Sequence, residues 1–162
     1  MCFVADLFID LLQMGIVFDR LYGWEMLPFD PAEFWSMVPP RWLTDYSFFN
    51  SPVEHAPGSR MNPLHMMRAL GVEESDFVSF KLDIDTPQVE IPLVLQLNGS
   101  TELAQLVDEF FFELHFRCEF MRYCGWRYKM PEVFDGLRLD RPSALKLFSD
   151  LRHKGIRAHI WP

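Results

Sequence analysis

Four ionisable residues carry the chemistry that this chain can be expected to perform. Asp83 and Asp85 close the stretch FVSFKLDID, and Glu113 and His115 close the stretch FFFELH. Spaced two apart, the members of each pair fall on one side of an extended segment, with Lys81 on the same side as the two aspartates. If the two segments are parallel neighbours, all four groups converge on one rim. Close carboxylates raise each other's pKa, and a nearby imidazole can be held protonated or used as a base. That combination suits proton abstraction from a hydroxyl, or a hard divalent cation bound through oxygens. The plainer alternative is that Lys81 pairs with one aspartate and the other groups face water.

The elements that must position these residues are readable from apolar pattern and turn chemistry. Phe77, Val78, Phe80, Leu82 and Ile84 form a nearly continuous apolar run after the polar turn at 71–75. Such a run predicts a strand over 76–84, covered on both faces as in a parallel sheet. Thr86-Pro87 ends it. In open α/β sheets ligands bind beyond the carboxyl ends of strands, which is where Asp83 and Asp85 lie. Pro92 sits badly inside a helix that starts at Pro87, so a rigid loop is expected over 85–91 and a helix from Pro92 to about Leu97. Asn98-Gly99-Ser100 breaks that helix, and 101–107 adds a turn or two. Residues 109–116 then read as a second strand, with Phe110, Phe112 and Leu114 on one face and Phe111, Glu113 and His115 on the other.

The remaining segments alternate in the same way. The N-terminal MCFVADLFIDLLQMG reads as a buried helix with Asp6, Asp10 and Gln13 as a narrow polar stripe, stopped at Gly15. Residues 16–25 favour a strand that ends on Glu25. Asp30-Pro31-Ala32-Glu33 is a helix start, with an Asp cap, Pro at the first position and Glu three residues after the cap. Pro39-Pro40 stops that helix. A short strand is expected over 46–53, followed by the turn-rich HAPGSR. Asn62-Pro63 opens a helix through Leu70 that Gly71 closes. No period is evident over 117–139, which predicts an irregular excursion. Ala144, Leu147, Phe148 and Leu151 mark a last helix, capped at Gly155, and 156–161 a last strand. Alternating strands and helices predict one α/β domain over 1–162 with a mainly parallel sheet.

Composition narrows the function classes. With 162 residues the chain can bury roughly 70% of its unfolded surface. Sixteen Phe and five Trp predict aromatic-rich packing. A net charge of -8 argues against a nucleic-acid partner, and no Lys/Arg run or apolar span of membrane length points to a membrane. Cys2, Cys118 and Cys124 are odd in number and lack C-x-x-C spacing, which fits reduced thiols and a cytoplasmic location. His55, His65, His153 and His159 have no H-E-x-x-H or comparable spacing, so a zinc site is not expected. There is no G-x-S-x-G, and the eight glycines never form G-x-G.

Three segments carry a family resemblance. LYGWEMLPFDPAEFW resembles the second strand and following helix of FkbM-type methyltransferases, which use S-adenosylmethionine. FVSFKLDIDTPQVE is similar to their fourth strand, where Lys-Ile-Asp-Val-Glu-Gly-x-Glu is usual, and FFFELH to their fifth, which often ends in Glu-x-His. Order and spacing agree over about 14–116. The resemblance implies a Rossmann-like α/β fold of the class I methyltransferase type. It makes Glu25 the acid that holds the cofactor's ribose hydroxyls, and sets Asp83 and Asp85 where the methyl acceptor meets the sulfonium. The acceptor would be a small-molecule or glycan hydroxyl, with Asp83 or Asp85 as its base.

Departures from the family pattern are specific. Asp85 replaces the usual Glu, Thr86-Pro87 replaces the Gly turn, and Glu90 falls two residues late. The family's first strand and Gly-rich loop have no counterpart, so the sheet is expected to be incomplete at its N-terminus and cofactor binding weak. Two other classes stay open: a non-catalytic binding or assembly domain, and a metal-dependent enzyme built on Asp83, Asp85, Glu113 and His115.

Overall fold

Parallel strand pairing organises both units into which the chain divides, Met1–Val53 and Glu54–Pro162. The structure is a computed structural model, and it describes residues 17–116 and 131–161. The helix expected over 1–15, the three cysteines and the first part of the 117–139 excursion lie outside the described residues.

In the first unit, β1 (Leu21–Trp24) runs parallel to β2 (Tyr46–Phe49), with Leu21 opposite Tyr46 and Trp24 opposite Phe49. The helix between them, α1 (Pro31–Met37), starts as its sequence dictates. Asp30 Oδ1 accepts the Glu33 N–H at 3.0 Å, and Pro31 takes the first position, where no N–H is needed. Val38 caps the other end and Pro39-Pro40 diverts the chain into a 3-10 turn, Pro40–Trp42. Aromatic contacts hold the unit together: Phe34 stacks on Phe48 at 3.7 Å and Trp24 on Phe49 at 5.3 Å. Gly23 is required by close approach, since a Cβ there would come within 2.3 Å of the Tyr46 hydroxyl.

In the second unit, α2 (Pro63–Ala69) is capped by the buried Asn62, whose Oδ1 accepts the N–H groups of Leu64 and His65 at 2.9 and 3.2 Å. Next come β3 (Ser79–Leu82), α3 (Pro87–Gly99), α4 (Thr101–Gln105) and β4 (Glu109–Phe112). A hairpin of β5 (Val133–Phe134) and β6 (Leu137–Arg138) leads to α5 (Arg141–His153) and β7 (Arg157–Ile160). The strands β3, β4 and β7 form a wholly parallel sheet in that order, with Leu82, Phe112 and Ile160 in register.

One face of this sheet builds the core. Leu82, Phe110, Phe112 and Ala158 are buried, as are Ile91, Val94 and Leu97 on α3 and Leu147, Phe148 and Leu151 on α5. Phe148 meets Phe112 with ring centroids 6.3 Å apart. Each of the Leu, Ile, Val and Phe side chains among them stabilises the fold by about 1.5–3 kcal/mol relative to exposure. The result is a mixed α/β architecture with open, mostly parallel sheets.

Three sequence expectations need correction. Residues 85–91 are not a loop: α3 runs unbroken from Pro87 through Gly99 with Pro92 inside it. An internal proline costs a helix about 3 kcal/mol. Full burial of Ile91, Leu93, Val94 and Leu97 on that helix offsets the loss. The anchor strand is shorter than the expected 76–84. It spans only Ser79–Leu82, lies at the edge of the described sheet, and leaves Phe77 exposed before it. The end of the expected 117–139 excursion is a regular hairpin. Asp135 and Gly136 both have positive φ, 46° and 82°, as a type I′ turn requires.

Candidate functional site

The sheet register delivers the four candidate residues to one end. Strand β4 continues its pairing past Phe112, since the Glu113 N–H donates to the Leu82 carbonyl at 3.2 Å. Asp83 and Glu113 therefore leave adjacent strands side by side, at the carboxyl ends where parallel sheets present their ligand sites.

Each acid there has a different environment. Asp83 Oδ2 lies 2.6 Å from the Lys81 ammonium, and both side chains are 7% exposed. The same ammonium sits over the Trp161 ring at 4.7 Å. Asp85 projects from a left-handed turn with φ 53° and is largely exposed. Its Oδ1 reaches to 3.3 Å from His115 Nε2, while Glu113 Oε2 lies 3.8 Å from the same nitrogen. The His115 side chain is only 9% exposed. Burial, a hydrogen bond to Asp83 and the charges of Asp83, Asp85 and Glu90 push the Glu113 carboxyl up to about 7. Two carboxyls in hydrogen-bond contact must share a proton, and the Lys81 pairing of Asp83 assigns that proton to Glu113.

A fourth acid lies beneath the rim. Glu90 belongs to the first turns of α3, is 1% exposed, and accepts the Ile84 N–H on Oε1 at 2.9 Å. Burial raises its carboxyl to about 7; the Ile84 and Thr86 backbone N–H groups hold it back, while the Asp83 and Asp85 charges push it further. The sequence reading gave Glu90 no place at the rim. Its position four residues after the Thr86 cap, near that of a capping-box acid, was the available signal.

Glu25 belongs to the Met1–Val53 unit, at the carboxyl end of β1. Its N–H donates to Phe49 O at 3.1 Å, and its Oε1 accepts the Leu27 N–H at 2.8 Å. Asn50 fixes the turn that follows, donating to Glu25 O and Leu27 O and accepting from Phe29 N. At the opposite, amino end of the three-stranded sheet, Glu109 pairs with Arg157 and His159. Burial favours a neutral Glu109, but hydrogen bonds from those two partners outweigh it and hold the carboxyl below its ordinary value.

The rim offers two kinds of chemistry. Asp85, Glu113 and His115 each present one ligand atom, all within 4.8 Å of one another, a hard set of two oxygens and one nitrogen. Without an ion the same groups form an imidazole beside an exposed carboxylate and a carboxyl that holds a proton near neutrality. Asp83 belongs to the cluster through its bond to Glu113, but its pairing with Lys81 makes it a support rather than an accessible base.

Comparison with protein-family models, with curated proteins and with solved structures found no match. No helix among the described residues is long and apolar enough to cross a membrane.

Proposed function

We propose that the chain is a Rossmann-like methyltransferase domain that acts on a hydroxyl of a small molecule or glycan, with the Asp85–His115–Glu113 rim as its proton-transfer site. The observation that carries this reading is the approach of Asp85 Oδ1 to His115 Nε2 at 3.3 Å, at the ends of two parallel strands. The resemblance of three segments to FkbM-type enzymes supports it.

The fit to S-adenosylmethionine is partial. Glu25 offers a carboxylate at a strand end, the group that a pair of ribose hydroxyls needs. The eight glycines never form G-x-G, so the backbone N–H groups of a tight glycine turn have no source in this motif. When bound, the cofactor supplies an electrophilic methyl group. The rim's own part is to hold the acceptor and take its proton. The exposed Asp85 carboxylate takes the hydroxyl proton, and His115, whose buried Nε2 lies 3.3 Å from it, orients that carboxylate. Glu113, protonated near neutrality, keeps its hydrogen bond with Asp83 and adds no further negative charge. Lys81 and Asp83 keep the strand end rigid.

Titration calorimetry with S-adenosylmethionine tests the cofactor reading. Two or three missing hydrogen bonds weaken binding by roughly 2–6 kcal/mol. A site that would otherwise be micromolar then becomes roughly millimolar. Binding in that range, weakened further by Glu25→Gln, is expected. An unchanged affinity in Glu25→Gln would remove Glu25 from the cofactor site, and no binding at all would sink the reading.

A divalent-cation reading of the same rim is favoured by the convergence of its three ligand atoms within 4.8 Å. Calorimetry with magnesium and manganese decides it. Heat that disappears in Asp85→Asn supports a metal centre; no heat, or unchanged heat in that variant, rules against it.

A further inference from the structure

Glu90 is the one acid among the described residues that is buried over its whole surface, at 1% exposure. Its Oε1 accepts the Ile84 N–H at 2.9 Å. From the other side, Thr86 Oγ1 donates to the Ile84 carbonyl at 3.0 Å. Both polar backbone atoms of residue 84 are therefore tied, one to a helix side chain and one to the residue that caps the helix. The Thr86 carbonyl is fixed in turn, because it accepts the N–H groups of Val89 and Glu90 at 2.8 and 3.0 Å.

Asp85 is the single residue between these two anchored positions. It adopts φ 53°, in the left-handed region that L residues avoid by about 1–2 kcal/mol. Such a conformation persists only where the surroundings over-determine it. Here the bonds to Ile84 and Thr86 supply that constraint. The turn carries the Asp85 carboxylate back over the strand end, to 3.3 Å from His115 Nε2.

We infer that Glu90 is a positioning residue: by anchoring Ile84 it holds Asp85 in the left-handed turn that keeps its carboxylate against His115. The inference rests on the rim as the working site, but its test reads backbone geometry and does not depend on any activity. A buried acid is a costly way to hold the Ile84 and Thr86 amides unless the geometry it enforces matters elsewhere. The same position also couples the rim to the hydrophobic core, because Ile91, Leu93 and Val94 follow Glu90 directly on α3 and are fully buried.

The experiment compares the full chain with Glu90→Gln, which keeps an acceptor oxygen, and Glu90→Met, which keeps only bulk. Nuclear magnetic resonance gives two readouts. The one-bond Cα–Hα coupling and the intraresidue amide-to-α contact of Asp85 report its left-handed conformation, and the Ile84 amide reports its hydrogen bond through exchange. The wild type and Glu90→Gln should share the left-handed signature and a protected Ile84 amide. Glu90→Met should lose the signature, and its Ile84 amide should exchange at least about tenfold faster, while Phe110 and Leu151 stay protected. Retention of the signature in Glu90→Met, or its loss in Glu90→Gln, overturns the inference. If Glu90→Met does not fold, the other two proteins decide. An Ile84 amide that exchanges like an unstructured peptide in the wild type, or a right-handed Asp85 in Glu90→Gln, is equally fatal.

Discussion

The Lys81 ammonium lies 2.6 Å from the Asp83 carboxylate, and each side chain is 7% exposed. Two residues apart on the same side of β3, they neutralise each other within the edge strand. The hydrogen bond between Asp83 and Glu113 extends the pairing across to β4. Removing one member of a buried pair leaves an uncompensated charge, which costs about 3–5 kcal/mol, whereas replacing both with apolar groups is often neutral. Lys81→Met should therefore lower unfolding free energy by about 3 kcal/mol, at the low end because Asp83 can take up the proton that Glu113 holds. The double variant Lys81→Met/Asp83→Leu should recover most of the loss. Urea denaturation gives both numbers, and a single variant that costs under about 1 kcal/mol would show that the pair is not buried in solution.

Glu90 sets the direction of pH dependence. Its carboxyl is raised from an ordinary 4.5 to about 7, so the folded state binds its proton more tightly than the unfolded state does. The stability this contributes is complete below about pH 4.5 and is lost as pH rises towards 7. The span corresponds to about 3 kcal/mol at most. Glu90→Gln keeps the acceptor for Ile84 and has no charge to bury. It should reduce the slope of the stability curve between those limits, leaving the part that the equally raised Glu113 contributes, and be the more stable protein at pH 8. Chemical denaturation at pH 5 and pH 8 checks this; a variant less stable than the wild type at pH 8 would contradict it.

Much of the fold was legible because local signals and tertiary packing agree. Asp30-Pro31, Asn62-Pro63 and Gly155 set helix ends where their chemistry requires, and the alternation of Phe110, Phe112 and Leu114 gave the buried face of β4. The parallel neighbourhood of β3 and β4 followed from two strand ends joined by a helix-length crossover. Pro92 misled because a local penalty was weighed without the four fully buried neighbours that outweigh it. The Asp135-Gly136 hairpin was missed because its strands are two residues long, too short for a period, although the Asp-Gly dipeptide was in plain view.

At the rim, residue types and spacing were enough to bring Asp83, Asp85, Glu113 and His115 together in expectation. They were not enough to separate their roles. Which aspartate is buried depends on Lys81 and Trp161, the latter from the far end of the chain. Which one faces the imidazole depends on a left-handed turn at residue 85, held by an acid on the following helix. The part played by Trp161 has no local signature, and the turn had only the spacing of Glu90 from the Thr86 cap.

The rim's role in proton transfer is tested most directly by methyl transfer itself. The full chain, with saturating labelled S-adenosylmethionine, is offered a panel of small alcohols, phenols and oligosaccharides, and label in the acceptor is followed over roughly pH 6 to 9. The wild type should transfer label to at least one acceptor. Asp85→Asn should reduce the rate by about 10²–10⁴-fold, the usual contribution of a general base, while the exposed control Lys146→Ala leaves it unchanged. Transfer that survives Asp85→Asn at the wild-type rate, or no transfer to any acceptor at any pH, would contradict the assignment.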